Sequence, residues 1–224
     1  NGHPLLSIPA AMLAGMLSGF ITAFLQTRMG INSLLAGIIV NTGLYSINIA
    51  IMGNSAILNM NKTPTVFVKM RDLLKGTPFD RQTTLIVALI AVILVVVFLS
   101  LFLKTKLGLA IRATGDNPDM VRSSSVNPVF TTTVGLCIAN AFTALSGCLL
   151  AQSQKSVNID IGSGMVTVAL ASLLIGTVFL KNKNVTIKAV GAVLGAIVFR
   201  LVYTVALRFN IHIREALLCF CRSE

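Results

Sequence analysis

Long apolar runs alternate with shorter polar breaks along the chain. A helix needs roughly 20 mostly apolar residues to cross a bilayer. Six runs are that long: Leu5–Gln26, Ile31–Met52, Thr83–Leu103, Pro128–Ala151, Ile161–Leu180 and Ile187–Phe209. The pattern predicts an all-α, polytopic integral membrane protein of about six spans. The first two runs, joined by a short turn at Thr27–Gly30, form a predicted helical hairpin.

Small residues four apart let helices approach closely in lipid. Run one carries Gly15 and Gly19 with Ala10 and Ala14, and Pro9 sits near its start, where a kink is expected. Run four carries Ala139, Thr143 and Gly147, with Asn140 and Ser146, and reads as a tightly packed interior helix. Run five has Ser172 and Gly176, and run six has Gly191 and Gly195. Run three is β-branched and apolar all round, so it is expected at the lipid-facing edge.

Polar side chains at membrane depth must face protein or water. Asn41, Tyr45 and Asn48 share one face of run two. They line a solute path or make interhelical hydrogen bonds, and the spacing alone fits both. Asn140 in run four and Arg200 in run six belong to the same candidate path. Arg200 lies about 18 Å along the helix from Lys188, at 1.5 Å per residue. It is therefore inside the hydrocarbon or just able to snorkel out of it.

The polar breaks differ in character. Gly53–Gln82 holds five basic residues and Pro64, Gly76 and Pro78, with a short surface helix expected over Thr65–Leu74. Asp160, Gly162 and Gly164 suggest a turn or re-entrant dip before run five. The break Lys104–Pro128 is the best punctuated. Leu107–Ala113 is expected to continue the incoming helix, and Gly115 to end it in a left-handed conformation. Asn117 then caps a short helix over Pro118–Ser124, with Pro118 in its first turn and Asp119 at its positive end. Asn127-Pro128 repeats the signal and opens run four. The result is a capped knob at the membrane surface.

Composition agrees with a membrane protein. Hydrophobic residues make up 55% of the 224, and charged ones 11%, against about 25% in a soluble domain. The formal net charge is +11. Most basic residues sit between the apolar runs or at their ends, which suits anionic lipid headgroups rather than nucleic acid. Lys and Arg fall on both sides in numbers too similar for the positive-inside rule to orient the chain. Cys137, Cys148, Cys219 and Cys221 show neither metal spacing nor a disulfide framework. No G-x-x-x-x-G-K-[ST], H-E-x-x-H or G-x-S-x-G is present, so no catalytic residue, cofactor or metal is expected. The tail from 211 to 224 is too short and too charged for a further span, and reads as aberrant or truncated, with a genuine amphipathic end as the alternative. The chain begins at Asn1 without a signal peptide, so its N-terminus is expected to be incomplete.

The stretch GLAIRATGDNP, Gly108–Pro118, resembles the cytoplasmic coupling loop of bacterial ABC-importer permeases. The similar group includes the branched-chain amino acid and ribose permeases, with an amino-acid branch that takes in tryptophan and tyrosine uptake systems. The resemblance extends more loosely from about Leu5 to about Asn210, and implies a single permease domain over 1–210. Gly108, Arg112, Ala113, Gly115 and Asn117 fall on the family's recurrent positions. Val121 stands where Ala is usual, and Val126 where Ile is. The resemblance implies that the loop is cytoplasmic and that its short helix, with flanking residues over 116–124, docks on a separate ATPase subunit. By the same resemblance, Arg112 and Asp116 orient the turn, while Pro118 and Asp119 open the docking helix. It further implies an extracellular or periplasmic solute-binding protein, a second permease copy or homologue, and a bacterial cytoplasmic membrane. The solute implied is small, an amino acid first and a sugar next.

Two other classes compete. An ion-coupled secondary transporter or channel usually carries an intramembrane acidic residue, and here only Asp160 lies near a span. A non-transporting scaffold is favoured only by the small-residue seams.

Overall fold

The computed structural model describes residues 4–59, 65–68, 70, 83–159, 161–179 and 185–221. The described elements are helices α1 (Pro4–Arg28) and α2 (Ser33–Ile51), strand β1 (Ile57–Asn59), helices α3 (Thr83–Phe102), α4 (Lys106–Asp116), α5 (Pro118–Ser123) and α6 (Pro128–Gln154), strand β2 (Ser156–Asn158), and helices α7 (Ile161–Phe179) and α8 (Val185–Cys221). Each of the six apolar runs is helical. Five helices are long and apolar enough to cross a membrane among the described residues, in α1, α2, α3, α6 and α8. In α7 the apolar segment found among the described residues is Val168–Val178. The chain divides into two compact units, 1–160 and 161–224.

In the first unit, α1 and α6 run antiparallel along a seam of small residues. A Cβ added at Gly15 would lie 2.6 Å from both the Asn140 carbonyl oxygen and the Ala144 Cβ. One added at Gly19 would lie 2.6 Å from the Leu136 oxygen and 2.9 Å from the Cys137 Cα. Glycine is thus required at both positions for backbone to meet backbone. The face of α6 that does this holds Leu136, Cys137, Asn140 and Ala144. Ala139, Thr143 and Gly147 lie exposed on another face, so the expected seam on this helix is displaced. The far end of the pair is tied by Gln152, 6% exposed, whose Nε2 donates to Ser7 Oγ at 2.9 Å.

Gly30, with φ +67, closes the turn between α1 and α2. Asn32 caps α2 by accepting from the Leu34 N–H at 3.0 Å. Helix α2 buries Ala36 and Val40, one turn apart, and leaves most of its surface open. Helix α3 meets α6 through Phe98 and Phe142, whose rings stand 5.6 Å apart at 63°. Its Ile90, Ile93, Leu94 and Leu101 are exposed, as a lipid-facing edge helix requires.

At the end of α6 away from the loop that precedes it, β1 and β2 form an antiparallel ribbon, Ile57 opposite Asn158 and Asn59 opposite Ser156. Lys155, with φ 53, makes the sharp turn from α6 into β2. Val66–Val68 is helical, and the Val66 N–H donates to Gln152 Oε1 at 3.2 Å. Thr65, the first residue of the expected 65–74 helix, is buried and precedes the helical residues; 69 and 71–74 lie outside the described residues, as does Asp160. Gly162 and Gly164 are part of helix α7, so the dip expected there is replaced by helix from Ile161 onward.

The second unit is the α7–α8 pair. A Cβ at Gly176 would lie 2.5 Å from the Gly191 carbonyl oxygen. One at Gly195 would run into the Ser172 carbonyl oxygen and lie 2.7 Å from the Gly176 nitrogen. The expected small-residue spacing in both helices is therefore the packing seam. Helix α8 continues to Cys221, so the backbone of the charged tail extends the last helix instead of ending it.

Candidate functional site

The polar knob between α3 and α6 is built by caps. Helix α3 stops at Phe102 instead of running through to Ala113. The Thr105 hydroxyl donates to the Phe102 carbonyl at 2.6 Å and accepts from the Gly108 N–H at 3.2 Å. Thr105 thus caps both sides of an elbow, and α4 starts as a new helix. Gly108 is buried against that elbow. A Cβ there would strike the Phe102 carbonyl oxygen and lie 2.6 Å from the Leu103 Cα.

Gly115 is not left-handed. It lies in the last turn of α4 with open space around it. The helix ends instead because Asn117 is extended (φ −154, ψ 102). The same Asn117 side chain caps α5, accepting from the Asp119 N–H at 3.1 Å and the Met120 N–H at 3.2 Å. Pro118 fills the first position of α5, where its missing N–H leaves nothing unsatisfied. After α5, Ser125 takes the left-handed conformation (φ 61). Asn127 then caps α6 by accepting from the Val129 N–H at 3.0 Å.

The knob is fixed to α6. Thr114 and Thr131 meet hydroxyl to hydroxyl at 2.8 Å, and Thr131 is 2% exposed. One turn earlier in α4, Ile111 fills the space beside Gly135. Val121, 4% exposed, anchors α5 from below. Its carbonyl also accepts from the Val126 N–H at 3.3 Å.

What remains outward is a polar surface. Arg112, Ala113, Gly115, Asp116, Asn117, Pro118 and Asp119 are all exposed, and only Gly108 of the expected set is buried. Met120 stands 68% exposed beside them. Arg122 and Asp119 approach to 3.8 Å with both side chains open to solvent, a contact that contributes little to stability. The side chains of Arg112 and Asp116 make no ion pair or hydrogen bond among the described residues, and Asn117 supplies the capping bonds at the turn.

Asn41, Tyr45 and Asn48 are exposed on α2, and their side chains bond to no other helix among the described residues. Asn140 donates from Nδ2 to the Leu136 carbonyl of its own helix at 3.0 Å, within the seam against α1. Arg200 is exposed on α8 beside Tyr203, in the second unit. No group of three or more His, Cys, Asp or Glu that suits a metal occurs among the described residues.

Helices long and apolar enough to cross a membrane, with a capped polar knob between two of them, describe a multi-pass helical membrane protein. The family model for the branched-chain amino acid transport system permease component matches residues 1–217, and the chain belongs to that family. The family resemblance read in the sequence is thereby borne out. Among curated relatives, a tyrosine transport system permease protein of Clostridioides difficile is 31% identical over 201 residues, covering 89% of this chain and 64% of its own length. An uncharacterized protein of Rickettsia prowazekii is 32% identical over 206 residues, covering 91% of this chain and 69% of its own. A nucleoside ABC transporter permease protein of Lactococcus lactis is 26% identical over 187 residues, covering 74% of this chain and 50% of its own. The chain thus spans between half and about two thirds of the length of these relatives. No solved structure matches.

Proposed function

We propose that this chain is the membrane-spanning permease subunit of an ATP-binding-cassette importer in a bacterial cytoplasmic membrane. The observation that carries the reading is the knob itself. It joins α4, tied to α6 through Thr114 and Thr131, to the short helix α5, which is capped at its start and exposed on its outer side through Met120, Asp119 and Arg122. A rigid, exposed, polar projection of this kind suits a protein partner. We assign it to a separate ATPase subunit, since this chain has no phosphate-binding loop of its own. The chain does no chemistry; ATP hydrolysis is the partner's.

Both compact units belong, in this reading, to one permease domain over 1–210, and a second permease copy completes the path. Asn41, Tyr45 and Asn48 form the path face of α2, because polar groups at membrane depth with no helix partner need water, solute or a second subunit. An extracellular or periplasmic solute-binding protein delivers the solute at the end away from the knob. Nucleotide binding and release on the ATPase shift the permease between outward and inward arrangements by favouring one knob position over the other.

The solute is small and, in this reading, an amino acid. The tyrosine permease relative supports this, and the nucleoside permease relative makes a nucleoside the first competitor. The test is uptake into proteoliposomes that contain the full-length chain, its ATPase and its binding protein. Labelled tyrosine and a labelled nucleoside are supplied separately, with ATP inside. ATP-dependent accumulation of tyrosine is the expected result. Accumulation of the nucleoside alone would reassign the solute, and uptake that follows a proton or sodium gradient without ATP would overturn the importer reading.

A further inference from the structure

The threonine pair behind the knob points to a role that reaches beyond docking. Each hydroxyl has one proton to donate. Thr114 Oγ1 lies 2.8 Å from the Ala110 carbonyl oxygen, and Thr131 Oγ1 lies 3.0 Å from the Pro128 carbonyl oxygen. When one threonine donates within its own helix, the other can donate across the 2.8 Å gap. If both donated within their own helices, two oxygens would face each other at that distance with no proton between them, which is unfavourable, so the geometry favours a cross-link between α4 and α6. It is also shielded, since Thr131 is buried, and a buried hydrogen bond left half-made is unfavourable. Ile111 against Gly135 adds a steric stop one turn further along the same two helices.

Beyond the clamp, α6 is held to α1 by backbone contact at Gly15 and Gly19. At its far end Gln152 bonds both Ser7 of α1 and the backbone of Val66. The same helix is thus staked at the knob, along its middle and at its opposite end. Glycine seams in which backbone meets backbone leave no side chains to repack, so α1 and α6 have little freedom to slide.

We propose that α4, α5, α6 and α1 move as one body, and that the Thr114–Thr131 pair is the clamp that makes α6 follow the knob. Displacement at α5 then appears at the Gln152 end of α6, where the segment at Val66 is attached. This rests on the importer reading and identifies the arm through which a partner at the knob would act. Thr114 and Thr131 are positioning residues in this account, since neither is exposed enough to form a docking surface.

The test uses the full-length chain assembled with its ATPase and binding protein in lipid nanodiscs and proteoliposomes. Cys137 and Cys148, with the tail cysteines, are replaced by Ser. Spin labels are then placed through Ser123→Cys in α5 and Ser153→Cys near the end of α6. In the wild type, the label-to-label distance is single, narrow and unchanged between nucleotide-free and ATP-bound states. In Thr131→Val the distribution broadens, and uptake falls about fivefold or more, the scale of one lost hydrogen bond. ATPase recruitment is retained in that variant. Thr131→Ser restores uptake. Thr114→Val gives the same loss, and the double variant loses no more than either single one.

A wild-type distance that changes with nucleotide would overturn the proposal. So would uptake by Thr131→Val equal to wild type, or loss of ATPase recruitment in that variant. If the wild-type chain recruits no ATPase at all, the importer reading fails separately. The label distances still judge the clamp in that case. A narrow wild-type distribution that broadens in both Thr114→Val and Thr131→Val supports it, and equal widths overturn it.

Discussion

The α-carbon of Gly15 lies so close to Asn140 that a Cβ would sit 2.6 Å from the Asn140 carbonyl oxygen. Two membrane helices meet here without an intervening side chain. In lipid, where apolar side chains gain little by leaving their surroundings, such close packing is the main source of helix association. The seam is what gives the polar knob a fixed base.

Gly15→Leu and Gly19→Leu therefore separate α1 from α6. Each is expected to lower the apparent melting temperature of the purified protein in detergent by several degrees, as overpacking of about 1–3 kcal/mol would. Gly147→Ala, on the open face of α6 with nothing within 4 Å, does not lower it. A thermal scan of the three variants makes the comparison. Equal destabilisation by all three would contradict the seam.

The two glycines of the knob should behave oppositely. Gly108→Ala drives a methyl into the Phe102 carbonyl and opens the elbow between α3 and α4. Gly115→Ala meets nothing and lies in ordinary helix, so it is neutral or slightly stabilising, by up to about 1 kcal/mol. Protease protection of the 104–127 region reads both. Loss of protection in Gly115→Ala with none in Gly108→Ala would invert the account.

Asn117 caps α5 with a single oxygen shared between two N–H groups. Asn117→Ala is expected to weaken the short helix by about 1 kcal/mol, and Asn117→Asp to retain it. Hydrogen exchange at Asp119 and Met120 should speed up roughly fivefold in the alanine variant and not in the aspartate one. Unchanged exchange in both would remove Asn117 from the cap.

The exposed polar face of α2 makes a prediction about water. With the native cysteines replaced, cysteine at 41, 45 or 48 should react with a membrane-impermeant thiol reagent in the assembled importer. Cysteine at Leu35 or Ile39, exposed apolar positions of the same helix, should not. Protection of the polar positions and labelling of the apolar ones would show that the face does not line an aqueous path.

The six helices were legible because each apolar run has a length that only a membrane span explains. The caps at Asn117-Pro118 and Asn127-Pro128 were legible because proline and asparagine constrain the backbone locally. Packing faces were legible only in part. On α6, the stripe Ala139, Thr143, Gly147 and the stripe Cys137, Asn140, Ala144 have the same small size and almost the same spacing. The choice between them depends on where α1 lies, which no local pattern states. The elbow at Thr105 was missed because no Gly or Pro precedes it, although a threonine three residues before Gly108 is a capping signal. The β1–β2 ribbon joins three-residue strands distant in the chain, too short for an alternating pattern to appear. The Thr114–Thr131 pair was likewise invisible, since two isolated threonines gain meaning only when α4 folds back on α6.

The account stands or falls on the knob as a docking element. The most direct measurement is co-purification of the full-length chain with a co-expressed ABC ATPase subunit from the same organism, for the wild type and for a variant in which Asn117, Pro118 and Asp119 are replaced by Ser, Gly and Ser. The account predicts that the wild type retains the ATPase and that the variant, folded and inserted in the membrane, does not. Equal retention by both would contradict it, as would failure of the wild type to retain any ATPase.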